Sequence, residues 1–137
     1  MGAASNYLEE ALLNHVLRNE ELTSPTEVYV GMVDDNATEE DLENGDLTNE
    51  ITEYDGDRKP ITFAAPIQIE GKATVENNVE AVFENMPEVT INYVIITDDP
   101  TKGSGNILYH SVPDAIKTSN EGDTARFLEG EITVDND

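Results

Sequence analysis

A chain of 137 residues with no cysteine must draw any chemistry from its carboxylates, its two histidines or its hydroxyls. The carboxylates dominate, with 30 Asp and Glu against 7 Lys and Arg, a net charge of −23. Paired carboxylates can do acid–base work when their surroundings set their pKa values apart. Among so many acids, adjacency in sequence singles out no pair. Six aspartates in turn-rich stretches, Asp34, Asp35, Asp55, Asp57, Asp98 and Asp99, are the candidate cation ligands, since hard carboxylate oxygens suit Ca²⁺ or Mg²⁺. No cofactor is expected beyond such Ca, Mg or K counter-ions. Asp34-Asp35-Asn36-Ala37-Thr38 loosely follows the start of a calcium loop, but Glu39 or Glu40, depending on register, stands where that loop needs glycine. A solvated surface loop is the simpler reading.

His15 and His110 are the only histidines. His15 falls within an apolar helical stripe, so a hydrogen-bonded histidine at a helix–sheet contact is expected rather than a metal ligand. No G-x-S-x-G, phosphate loop or H-E-x-x-H is present. Gly103-Ser104-Gly105 lies between two strand-like runs with no helix after it, which excludes a dinucleotide fingerprint. Aromatics make up 6% and tryptophan is absent, so a sugar-stacking platform is thinly supplied. Tyr29, Tyr93 and Tyr109 fall in strand-like runs and read as sheet residues. The chain reads as a non-enzyme.

The charge disfavours nucleic acid and anionic membranes as partners. No apolar run approaches a membrane span. The acids are scattered through nearly every segment, while lysine occurs only as Lys59, Lys72, Lys102 and Lys117. Scatter suits a surface adapted to concentrated salt better than a DNA mimic, which needs a charge stripe at phosphate spacing. A carbohydrate- or calcium-binding module for host attachment is the third reading.

These residues need a scaffold, and the pattern predicts a mainly β protein: an antiparallel β-sandwich or jelly roll with one N-terminal α-helix. One domain over 1–137 is expected, with the helical part at 1–20 and the sandwich at 27–134, interrupted by an acidic loop at 34–57. The helix is predicted over 6–19, capped by Asn6 with Glu9 completing a capping box. Its apolar face holds Leu8, Ala11, Leu12, His15 and Val16, widened by Leu13 and Leu17. The central hairpin is predicted within 88–110, where Val89, Ile91, Tyr93 and Ile95 alternate with Thr90, Asn92, Val94 and Ile96. The second face turns apolar only towards its end, so this strand should enter a two-sided core as it proceeds. Further strands are predicted at 27–33, where Gly31 marks a bulge or a close backbone approach, and at 60–63, 67–70, 73–76, 79–84, 124–128 and 132–134. Residues 114–118 read as short and mixed. The loop 34–57 carries eleven acids and no base. Within it Thr38 can cap a short helical turn over 39–43, closed by Asn44-Gly45. Arg58, one of three arginines, should pair with a neighbouring carboxylate.

Several segments together carry a resemblance. The opening Ala4-Ser5-Asn6-Tyr7-Leu8-Glu9, followed by Leu12-Leu13-Asn14-His15-Val16-Leu17-Arg18, is similar to that of small virion proteins of tailed viruses described as tail-fibre-like. Ser24-Pro25 before Val28-Tyr29-Val30-Gly31, Glu50-Ile51 to Tyr54, Arg58 before Ile61-Thr62-Phe63, Gly105-Asn106-Ile107-Leu108-Tyr109-His110, and Gly122-Asp123 with Phe127, Gly130 and Ile132-Thr133-Val134 extend it over most of the chain. The acidic load departs from the family pattern. The resemblance implies a virion structural role with no catalytic residues, and with the acidity it implies a tailed virus of a salt-loving archaeon. The absence of a long fibrous repeat or coiled coil favours a capsid decoration or turret subunit, with a tail-fibre or tail-associated attachment protein as the alternative. The expected partners are a second copy, in a symmetric homo-oligomer, and major capsid or tail proteins. The expected assembly contact is the helix, through Tyr7, Leu8, Leu12, Leu13, Val16 and Leu17.

Overall fold

The computed structural model describes residues 2–113 and 117–136; the segment read at 114–118 lies partly outside them. In chain order the elements are β1 (Gly2–Ala4), α1 (Asn6–Leu17), β2 (Val28–Asp34), α2 (Glu39–Glu43), β3 (Lys59–Ile61), β4 (Ile67–Ile69), β5 (Lys72–Glu76), β6 (Ala81–Met86), β7 (Val89–Thr97), β8 (Ile107–Ser111), β9 (Lys117–Ser119), β10 (Asp123–Phe127) and β11 (Thr133–Asn136). The protein is mainly β, its sheets are antiparallel, and a helix stands near the N-terminus, as the residue pattern predicts. Among the described residues one strand pair, β1 with β11, is parallel.

The large sheet runs β3-β2-β7-β8-β1-β11-β5-β4, with β9 beside the start of β7, and β6 and β10 form a separate ribbon. β3 and β4 are two halves of one bent stretch. The first half pairs with β2, placing Ile61 opposite Val28. The second pairs with β5, placing Ile67 opposite Thr74 and Ile69 opposite Lys72. Between them Phe63 bridges Asn77, and the Ala64 and Asn78 amides donate to the Glu76 and Thr62 carbonyls at 2.9 and 3.1 Å. A strand that changes neighbours midway closes the sheet on itself into a barrel-like ring. Glu70 and Gly71, at φ 50° and 80°, make the β4–β5 turn, the two positive φ values that a two-residue type I′ hairpin requires.

The ribbon plugs one end of this ring. Ala81, Phe83, Ala125 and Phe127 share one buried cluster with Val30, Met32, Ile61, Ile91, Val94 and Ile96 of the inner sheet face. Phe83 sits edge-on to Tyr54 at 5.0 Å and to Phe127 at 6.0 Å. β7 behaves as its pattern predicts: Val94, Ile95, Ile96 and Thr97 are all buried, so both its faces enter packed layers. The outer layer comes from the acidic loop. Ala37 and Leu42 cover Val33, Ile95 and Ile107 on the outer face of the sheet. The solvated-loop reading of 34–57 therefore needs correction, because every few residues an apolar side chain ties the loop down. Its helical turn forms as expected, with Thr38 and Asp41 in a reciprocal capping box and Asn44 at the C-cap.

Two other expectations change. The cap of α1 is Ser5, not Asn6. Its hydroxyl accepts from the Leu8 amide at 3.3 Å and donates to the Ile107 carbonyl, a buried anchor that Asn6 could not supply one residue later. His15 is exposed, with Nδ1 2.9 Å from the Glu20 carbonyl oxygen in the connector, rather than at a helix–sheet contact. No helix among the described residues is long and apolar enough to cross a membrane.

Phe83 is fully buried between ribbon and sheet. Phe83→Ala should lower unfolding free energy by about 3–5 kcal/mol through lost transfer energy and the cavity left behind; urea unfolding at constant salt measures it.

Candidate functional site

The most constrained polar site is interior. The Arg58 and Glu50 side chains are both fully buried. Arg58 Nε donates to Glu50 Oε2 and Nη2 to Oε1, each at 2.8 Å. Nη1 donates to Thr97 Oγ1 at 3.1 Å, to the Asp99 carbonyl at 2.8 Å and to the Ser104 carbonyl at 2.7 Å. Glu50 Oε1 also accepts from the Gly103 amide at 2.8 Å. The fork geometry of guanidinium and carboxylate makes such two-bonded pairs strong. One cation thus ties the acidic loop to the β7–β8 loop. Gly31 makes room for it, since a Cβ there would stand 3.0 Å from Glu50 Oε2, 3.2 Å from Ile95 Cγ1 and 3.4 Å from Arg58 Nε. The glycine in β2 marks close approach by side chains.

Lys102 supports the same junction. Its Nζ donates to the Thr52 and Tyr54 carbonyls at 2.9 and 2.6 Å and lies 3.8 Å from the Tyr54 ring centre. Burial holds the Lys102 ammonium below its ordinary pKa. The Tyr54 hydroxyl has no hydrogen-bond partner among the described residues. Burial pushes its pKa up, and the nearby Glu50 carboxylate adds to the effect.

The six aspartates stand in three pairs along the chain. Asp34 Oδ1 accepts from the Asn36 amide at 2.9 Å, and Asp35 is exposed beside it. Asp55 Oδ1 accepts from Asn85 Nδ2 at 3.2 Å, and Asp57 is exposed. Asp98 holds Asn106 through the backbone amide at 2.8 Å and the side-chain amide at 3.0 Å, while Asp99 Oδ1 accepts from the Thr101 amide at 2.8 Å. In these positions Asp34, Asp98 and Asp99 act as turn formers. Among the described residues no three of His, Cys, Asp or Glu gather as a cation site would need. The histidines are apart as well: His110 is buried, with Nε2 2.8 Å from Glu43 Oε1.

Among the described residues the apolar surface includes a face of α1, an open recess and the exposed Ile67 and Ile69 of β4. On α1, Leu8 is buried and Leu12 half-buried, which holds the helix to its own subunit. Tyr7, Leu13, Val16 and Leu17 are 46%, 59%, 67% and 71% exposed. The second feature is the end of the barrel that the ribbon leaves open, a cavity of about 380 Å³ walled by Val28, Phe63, Pro66, Val75, Tyr109 and Val134 among others. Sequence reasoning found the ridge from its 3.6-residue period. It missed the open end, whose walls come from five strands and the bend between β3 and β4.

The Arg58–Glu50 pair is sealed in the interior, and among the described residues the apolar features of the surface offer area for contact. The chain matches the family model of the podophage GP4 fiber I protein gp80 over residues 3–135. It belongs to that family. The match supports a virion-associated structural protein of tail-fibre type, so the tail-fibre-like resemblance read from the opening residues holds at family level. No curated protein matches the chain.

Removing one partner of a buried ion pair strands the other charge, so Arg58→Met should cost about 3–5 kcal/mol, and adding Glu50→Leu should recover much of the loss. Urea unfolding of the single and double variants tests this. In the unfolded chain the Tyr54 phenol ionises near pH 10, and in the folded chain only above that. Its contribution to stability is full below about pH 10 and declines as pH rises further. Tyr54→Phe should therefore flatten the alkaline fall in stability and remove one late-titrating phenol from the ultraviolet absorbance curve.

Proposed function

We propose that this chain is a non-enzymatic subunit of a tail-fibre assembly that serves in host attachment, working as a symmetric homo-oligomer among other tail proteins. The family match over residues 3–135 carries the reading. It favours the tail over the capsid decoration or turret position expected from the lack of fibrous repeats. The exposed ridge of α1 supports self-association, since four large apolar side chains on one short helix serve folding poorly while in water.

We also infer that the particle works in concentrated salt, in keeping with a host among salt-loving archaea. A net charge of −23 on one small domain repels itself and any second copy. Molar salt cuts the range of that repulsion to about 3 Å, against about 10 Å at 0.1 M. The acids act collectively in this reading, holding water and Ca, Mg or K counter-ions diffusely rather than in discrete sites.

Immunogold labelling of intact particles tests the placement: label should collect on the tail, and label spread over the head would return the capsid reading. Light scattering tests the assembly. A discrete oligomer is expected at about 2–3 M salt, dissociating towards monomer near 0.1 M as the screening length grows. A monomer at both salts would count against self-association. Deleting the helix outright is a poor test, because β1 just before it lies between β8 and β11 in the sheet.

A further inference from the structure

We propose that two copies join across a twofold axis at the β4 edge, the sheet of one subunit running on into that of the other. The proposal rests on the symmetric self-association read above and assigns it a contact separate from the α1 ridge. β4 ends the strand order of the large sheet, with β5 as its one strand neighbour among the described residues. Its three residues are all exposed. The Glu76 carbonyl of β5 accepts from the Ala64 amide, and antiparallel bonding alternates along a strand. Glu76, Thr74 and Lys72 therefore bond towards the β4 side, and Ile67 and Ile69, opposite Thr74 and Lys72, bond back. Gln68 and Pro66, one step out of phase, turn their backbone nitrogens and carbonyls away from β5. Pro66 agrees with this phase, since proline is tolerated on an edge where its nitrogen faces out. Gln68 thus holds the outward N–H of β4, between two exposed isoleucines. An edge of this kind, with no charged side chain on it, is a template for another strand.

The chemistry of the edge selects a second copy as that strand. Residues 60–69 contain no acid and no base, in a chain where 30 of 137 residues are acidic. A twofold contact sets each residue near the axis against its own kind, so a −23 chain can use only an uncharged stretch there. Pro66 fixes the register. A long partner strand would find no donor at Pro66, whereas Gln68 placed on the axis exchanges N–H and C=O with the partner's Gln68. Ile67 then stands opposite the partner's Ile69, and Ile69 opposite the partner's Ile67. These are the closely spaced, non-hydrogen-bonded pairs in which β-branched side chains pack across strands. Glu70, at the hairpin turn, falls opposite the partner's Pro66. The two Glu70 residues are then about 14 Å apart along the strands, beyond the screening length of about 10 Å even at 0.1 M salt.

The test varies the edge of the full chain in about 2–3 M salt. Gln68→Pro deletes the outward N–H without touching the hairpin's own bonds, and Gln68→Ala keeps it. Ile69→Lys sets a charge beside the axis and serves as a second variant; circular dichroism checks that each is folded. Loss of both exchanged hydrogen bonds should weaken the contact about tenfold. Light scattering over a concentration series should therefore show Gln68→Pro and Ile69→Lys dissociating at a concentration at least about tenfold higher than wild type, with Gln68→Ala tracking wild type. If both variants fold and associate as wild type does, the β4 contact is wrong and self-association stands by another surface. A Gln68 amide that resists hydrogen exchange in intact particles but not in the associated pure chain would give the edge to another tail protein and overturn self-pairing. A wild-type monomer at every salt overturns the self-association reading and this contact with it.

Discussion

The structure turns on one buried charge pair. Arg58 and Glu50 are both removed from water, a state that costs several kcal/mol per ion before any gain is counted. Near-complete use of hydrogen-bonding capacity offsets that cost. The guanidinium donates to a carboxylate, a hydroxyl and two backbone carbonyls, and the carboxylate accepts a further backbone amide. Those partners belong to the acidic loop, to β7 and to the β7–β8 loop, so the pair fixes three separated segments at one point. The residue beneath it must be glycine-sized, which ties β2 to the same arrangement. A hydrophobic substitute could match the stability, but it would leave the Gly103 amide and the Asp99 and Ser104 carbonyls without these partners.

The bend between β3 and β4 has a comparable reach. A strand that leaves one neighbour for another closes the sheet, and closure removes most free edges. In a closed sheet the interior has two ends. The β6–β10 ribbon fills one with Phe83 and Phe127, and the acidic loop adds Tyr54 from the side. No comparable element covers the other end among the described residues, which leaves the fold directional.

Much of the fold is legible in the sequence, and the reasons are local. Alternation from Val89 to Ile96, the Gly71 turn and the Thr38 cap each reflect short-range physics, and each element formed where that physics placed it. Arg58 could be read as paired because it is one of three arginines and directly follows a stretch of eleven acids. Its partner could not be chosen, since Glu50 wins through burial beneath a loop fifty residues downstream. β1 was missed because Gly2-Ala3-Ala4 has no strand character; it is strand by virtue of the places left open beside β8 and β11. The apolar residues of the acidic loop, Leu42 above all, were visible but outweighed in the reading by their charged neighbours. The α1 ridge was legible as a period, but exposure of Leu13, Val16 and Leu17 depends on what the sheet leaves uncovered.

Interior and surface electrostatics here answer to different controls. The Arg58–Glu50 pair lies out of reach of mobile ions, so its contribution should change little with salt. The surface acids are solvated, and their mutual repulsion is set almost wholly by screening. Contact between two copies of a −23 chain couples that screened repulsion to apolar burial, and salting-out ions strengthen apolar burial as well. Both effects push association the same way as salt rises, and the same screening relieves the repulsion within each folded copy.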